Sequence, residues 1–81
     1  MKLAPKEAKV VAEALRALLG GDGKRFDDVL WLGLGDGCAQ AYKVLTSHGF
    51  IEDAHDLFAI RLTDKGRVLL TRLTESVLMV A

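Results

Sequence analysis

The chain has a single cysteine, a single proline, no net charge and no hydrophobic run of membrane-spanning length. With Cys38 alone, an internal disulfide is excluded and a reducing compartment is expected. Eleven basic residues balance eleven acidic ones, so no overall positive field draws nucleic acid towards the molecule. The opening stretch MKLAPKEAKVV lacks the apolar segment of a signal peptide, and no membrane partner is expected. These absences together predict a soluble cytoplasmic protein.

What the chain has in quantity is apolar side chains. Hydrophobic residues make up 51% of its 81 positions, and the mean hydropathy is +0.23. That length supports one domain, residues 1–81, with a thin core. The apolar excess either enriches that core or forms an oligomer or partner interface.

Local patterns divide the chain. Pro5 suits a first helical turn, where its missing N–H has no partner. Val11, Leu15 and Leu18 then recur at helical spacing, and Gly20-Gly21 ends the helix after Leu19. Lys24-Arg25-Phe26 is short enough for a minimal strand. Asp27 is the expected cap of a second helix, from Asp28 to Leu34. Val29, Leu30, Trp31, Leu32 and Leu34 cannot all face one small core, so this helix is either unusually buried or exposes Trp31 and a neighbour. Asp36 is the expected cap of a third helix, which runs to about His48 with an apolar stripe of Cys38, Ala41, Tyr42 and Leu45; Gly49 stops it. Two strands follow, Phe50 to Asp53 and Leu57 to Thr63, the second alternating Phe58, Ile60 and Leu62 with Ala59, Arg61 and Thr63. Ala54, His55 and Asp56 join them. Thr63 is placed to cap a last helix, Asp64 to about Val80, with a stripe of Val68, Leu69, Leu73, Val77 and Val80.

Two motifs carry a family resemblance. Leu45-Thr46-Ser47-His48-Gly49-Phe50-Ile51 resembles the end of a recognition helix and the entry to a wing. Leu62-Thr63-Asp64-Lys65-Gly66-Arg67 resembles the step from wing to final helix. At this separation they resemble the winged helix-turn-helix domains of MarR-, PadR- and ArsR-like regulators. The resemblance implies an α+β fold: a three-helix core, a two- or three-stranded wing and a C-terminal helix. It also implies a homodimer paired through the first and last helices, with Val77, Leu78, Met79 and Val80 in the interface. DNA would be read by Gln40 and Lys43 on the third helix, with phosphate contacts from Lys24, Arg25, Arg61, Lys65 and Arg67. Gln can fork onto adenine, and Lys meets phosphate.

The distribution of charge points elsewhere. From Phe26 to Leu57, six acidic residues face one basic residue, Lys43, for a net charge of −5; the remainder carries +5. Non-specific DNA affinity comes largely from phosphate neutralisation. The reading favoured by local charge is therefore a non-enzymatic interaction module, a regulator or inhibitor whose acidic face binds a basic protein partner, such as a nucleic-acid-handling complex. Its contact residues would be Trp31, Asp27, Asp28, Asp36, Glu52, Asp53 and Asp56. A dimeric DNA-binding transcription regulator is the alternative.

The remaining candidates read more plainly as structure. Cys38 could be a redox thiol, but it falls on the apolar stripe and is expected to be buried and inert. His48 sits where a cation favours a helix C-terminus, and His55 reads as a solvated loop residue. Asp53, His55 and Asp56 could meet at a wing tip, yet no Cys or His pair has metal-ligand spacing, so no metal or cofactor is expected. Gly33, Gly35 and Gly37 lack the strand and third glycine of a dinucleotide fingerprint; they are expected to let two helices turn sharply. No nucleophile has a recognisable base, and no catalytic residue is assigned.

Overall fold

A computed structural model describes residues 5–52 and 60–80, with side chains as far as 75. The fold is α+β and mostly helical. In chain order it comprises α1 (Pro5–Leu19), α2 (Gly23–Leu34), a 3-10 turn (Gly35–Gly37), α3 (Cys38–Ser47), β1 (Ile51–Glu52), β2 (Arg61–Leu62) and α4 (Asp64–Val80). The expected wing loop, Ala54, His55 and Asp56, lies outside the described residues, as do Asp53 and Phe58.

α1 is the hub, packing against α2, β2 and α4. Val11, Ala14, Leu15 and Leu18 form one buried face at spacings of three and four, and Ala12 widens it. The alanines leave room for neighbouring helices to approach. Phe26 and Leu30 from α2, Leu45 from α3, Ile51, Ile60 and Leu70 complete the core. Each large side chain fully removed from water contributes about 1.5–3 kcal/mol. No charged or polar side chain is buried among the described residues.

The second helix starts earlier than its sequence predicts. Asp22, not Asp27, is the cap: its carboxylate accepts the Arg25 backbone N–H at 3.0 Å. Lys24-Arg25-Phe26 is thus helical rather than a strand, because an N-cap three residues ahead and a buried Phe26 both favour the turn. The helix ends at Gly35, whose φ of 55° is open to glycine and strained for most other residues. Asp36 is not the cap of α3. It sits inside the intervening 3-10 turn, and the preceding position to α3 is Gly37, which has no side chain to offer.

The strands pair antiparallel, Ile51 opposite Leu62 and Glu52 opposite Arg61. They are shorter than the alternating pattern predicts, although Ile60 is buried, Arg61 exposed and Leu62 half-buried, as that pattern requires. Thr63 does cap α4: its hydroxyl accepts the Gly66 N–H at 3.0 Å. Of the expected α4 stripe, Leu69 and Leu73 pack against the core as predicted, but Leu70 enters it in place of Val68, which remains 52% exposed. Val77 to Val80 belong to α4, and their side chains lie outside the described set.

Candidate interaction surface on the second helix

α2 docks by Gly23, Phe26 and Leu30, which are buried, and by Phe26 against Tyr42 of α3, ring centroids 6.3 Å apart. That arrangement fixes what the opposite side presents. Lys24, Arg25, Asp28, Trp31 and Leu32 are exposed, Trp31 by 61% and Leu32 by 84%. Side chains four apart on a helix are neighbours. Asp27 and Trp31 therefore form one row and Asp28 and Leu32 the next, so two large apolar side chains each stand one turn beyond a carboxylate.

Half-buried Asp27 also faces the start of α3. The Cys38 thiol is pushed above its ordinary range, first by burial and second by the negative charge of Asp27. Cys38 is half-buried rather than sealed in the core. Its raised pKa leaves it mostly protonated and poorly nucleophilic at neutral pH.

The other expected partner contacts are more scattered. Asp36 is exposed in the 3-10 turn at the end of α2. Glu52 stands on β1, which packs on α3 and pairs with β2. Glu52 and Arg61 are direct cross-strand partners, so a contact residue of one reading sits beside a phosphate contact of the other. Similarly, Asp28 lies within one turn of Lys24 and Arg25. Asp27 lies one turn from Lys24 in the same way, so charge separated along the chain is partly recombined in space, and among the described contact carboxylates Asp36 has no Lys or Arg within four positions in sequence. Asp53 and Asp56 fall outside the described residues.

Gln40 and Lys43 are both exposed on α3. Lys65 extends over the Phe50 ring, 5.4 Å from its centroid, with the His48 ring on the same phenyl group at 5.8 Å. Arg61 and Arg67 are exposed nearby in sequence. Gln40 also borders a furrow of about 550 Å³ between α1, the end of α2 and α3, lined mainly by Val11, Leu34, Ala41 and Val44 with Lys6 and Glu7 at its mouth.

Among the described residues, no group of three His, Cys, Asp or Glu is placed to hold a metal ion. Nor is any helix long and apolar enough to cross a membrane. Gly33 is explained by packing, since a Cβ there would overlap the methyl groups of Val10 on α1. Sequence periodicity left the exposure of Trp31 open; it is settled by the packing of α2 on α1, which takes Phe26 and Leu30 into the core. Compared with protein-family models, curated proteins and solved structures, the chain has no match in any of the three.

Proposed function

We propose that this chain is a non-enzymatic interaction module of winged-helix type, whose α2 surface engages a basic protein partner. The observation that carries the reading is the exposure of Trp31 and Leu32, each one turn from a carboxylate. Exposed aromatic anchors ringed by charge are a recurrent hot-spot arrangement. A partner offering apolar side chains with Lys or Arg one turn away would bury Trp31 and pair with Asp27, Asp28 and Asp36. The order of α1 to α4 with a two-stranded antiparallel sheet between α3 and α4 supports the winged-helix part of the reading.

Exposure of Gln40 and Lys43 on α3 favours a second reading, DNA binding by that helix. Fluorescence anisotropy with mixed-sequence duplex DNA separates the two. The interaction-module reading expects no binding even at low salt. Affinity that falls steeply as salt rises, and that Gln40→Ala or Lys43→Ala weakens, would replace it with the DNA reading. In parallel, a basic amphipathic helical peptide should shift Trp31 fluorescence saturably, and Asp27→Lys/Asp36→Lys should abolish that shift.

A further inference from the structure

The two ends of α3 are held very differently. At its C-terminal end the chain leaves through Gly49, at φ 74°, and the Phe50 backbone N–H donates back to the Leu45 carbonyl at 2.9 Å. Leu45 is 1% exposed and Ile51 2%, and the Phe50 carbonyl accepts the Thr63 N–H. At the other end no side chain caps the helix, which follows directly on Gly35-Asp36-Gly37. From Cys38 to Val44 no residue is fully buried: Cys38, Ala41, Tyr42 and Val44 are half-buried and the others exposed. The furrow of about 550 Å³ runs along this same half, with Gln40, Ala41 and Val44 facing Val11 of α1 and Gly33 and Leu34 of α2. A segment with few buried apolar contacts and one unanchored end opens at a lower free energy than the core.

We infer that the N-terminal half of α3 is a flap, swinging about its anchor at Leu45 to narrow or widen the furrow. Gly35 and Gly37 form the joint at its free end. Hinges are short stretches at element ends that absorb changes in φ and ψ, and Gly35 already holds a φ of 55° that few residues other than glycine adopt. Two attractions oppose each other across the flap. The Tyr42 ring against Phe26, centroids 6.3 Å apart, holds it towards α2. Closing Ala41 and Val44 onto Val11 and Leu34 would draw it towards α1 by removing apolar surface from water. Asp27 acts on the Cys38 thiol at the start of the flap, so the α2 surface senses its position. The inference itself stands without the basic-partner reading.

Hydrogen exchange of the full chain, with no partner present, reads the flap directly. The amides of Tyr42 to Leu45 should exchange at least about tenfold faster than those of Leu15 and Leu18 in α1. Two variants act on the flap without altering α1. Ala41→Leu places apolar volume in the furrow. Gly37→Ala stiffens the joint, at a φ of −78° open to alanine and where a Cβ meets nothing closer than Leu34 Cβ at 3.7 Å. Each should reduce the ratio of α3 to α1 exchange at least about twofold. Spin labels at Lys9→Cys and Lys43→Cys, both exposed, in a Cys38→Ala background separate a swing from simple fraying. They should give a broad distance distribution that Ala41→Leu narrows. Equal protection of α3 and α1, a ratio unchanged in either variant, or a single narrow distance in the parent background overturns the proposal. None of these readouts involves the basic partner, so the two proposals fail separately.

Discussion

The hydroxyl of Thr63 donates to the carbonyl oxygen of Gly49 at 2.6 Å, joining the residue before α4 to the turn after α3. The Phe50 carbonyl lies 3.0 Å from the same oxygen and also accepts the Thr63 backbone N–H at 3.2 Å. The hydroxyl in turn accepts the Gly66 N–H. One side chain therefore caps a helix and ties it to a segment fourteen residues earlier. Thr63→Ala should cost about 1–2 kcal/mol in chemical denaturation, and Thr63→Ser should recover most of that loss.

Gly66 gives a prediction whose sign opposes helix propensity. Replacing glycine by alanine inside a helix ordinarily stabilises by up to about 1 kcal/mol. At Gly66, however, a Cβ would fall on the Phe50 carbonyl oxygen and within 2.6 Å of Leu62 Cδ1. Backbone cannot yield as a flexible side chain does, so Gly66→Ala should destabilise by about 1–3 kcal/mol. Gly20→Ala is the control, its Cβ meeting nothing closer than 3.5 Å. Thermal melts of the two variants should move in clearly different ways.

The start of α2 is testable by comparing two aspartates. Asp22→Ala removes the acceptor for the Arg25 N–H and should lower stability by about 1 kcal/mol. Asp27→Ala lies beyond the first turn of the helix and should change it by less than about 0.5 kcal/mol. A reversed order would restore the cap that sequence pattern alone places at Asp27.

Trp31 is the chain's one tryptophan, so intrinsic fluorescence reports a single place. Its 61% exposure predicts red-shifted emission in the folded state and ready quenching by acrylamide or iodide. Trp31→Ala should alter stability by no more than about 0.5 kcal/mol. A blue-shifted, protected indole would show that this surface is already covered in solution.

Cys38 should alkylate more slowly near neutral pH than an unhindered thiol, since burial and then Asp27 raise its pKa. Asp27→Asn removes the second cause and should accelerate modification by iodoacetamide, with the pH–rate profile moving to lower pH. The linked effect on stability has a definite sign. A thiol whose folded pKa lies above its unfolded value favours the fold until pH rises through the unfolded pKa, and that contribution declines between the two values.

The helices were legible where one signal dominated: Pro5 at the start of α1, Gly49 after α3 and Thr63 before α4 each act through their nearest neighbours. Asp22 against Asp27 was not legible. Both are acidic residues a few positions ahead of apolar ones, and the choice depends on Phe26 being wanted inside by α1. That α4 buries Leu70 rather than Val68, while Leu69 and Leu73 pack as expected, depends likewise on where α1 lies. For the surface, Trp31 and Leu32 were visible as a surplus of large apolar residues on one short helix, but which of them would be left outside was a tertiary decision. The acidic run was real along the chain, whereas the opposition of Glu52 to Arg61 needed strand register that no charge count contains.

That α1 packs against α2, β2 and α4 also bears on the order in which the chain can fold. α1 and α2 are separated by three residues, and closing so short a connection costs little entropy. Their helical hairpin can form as soon as both have been synthesised. Burial of the other side of α1 by α4 requires contacts across more than forty residues, the slow, non-local kind. Until α4 arrives, Val11, Leu15 and Leu18 present an incomplete core to solvent. The nascent chain is then most exposed to misassociation at its first helix, and the event that ends this interval is the docking of its last.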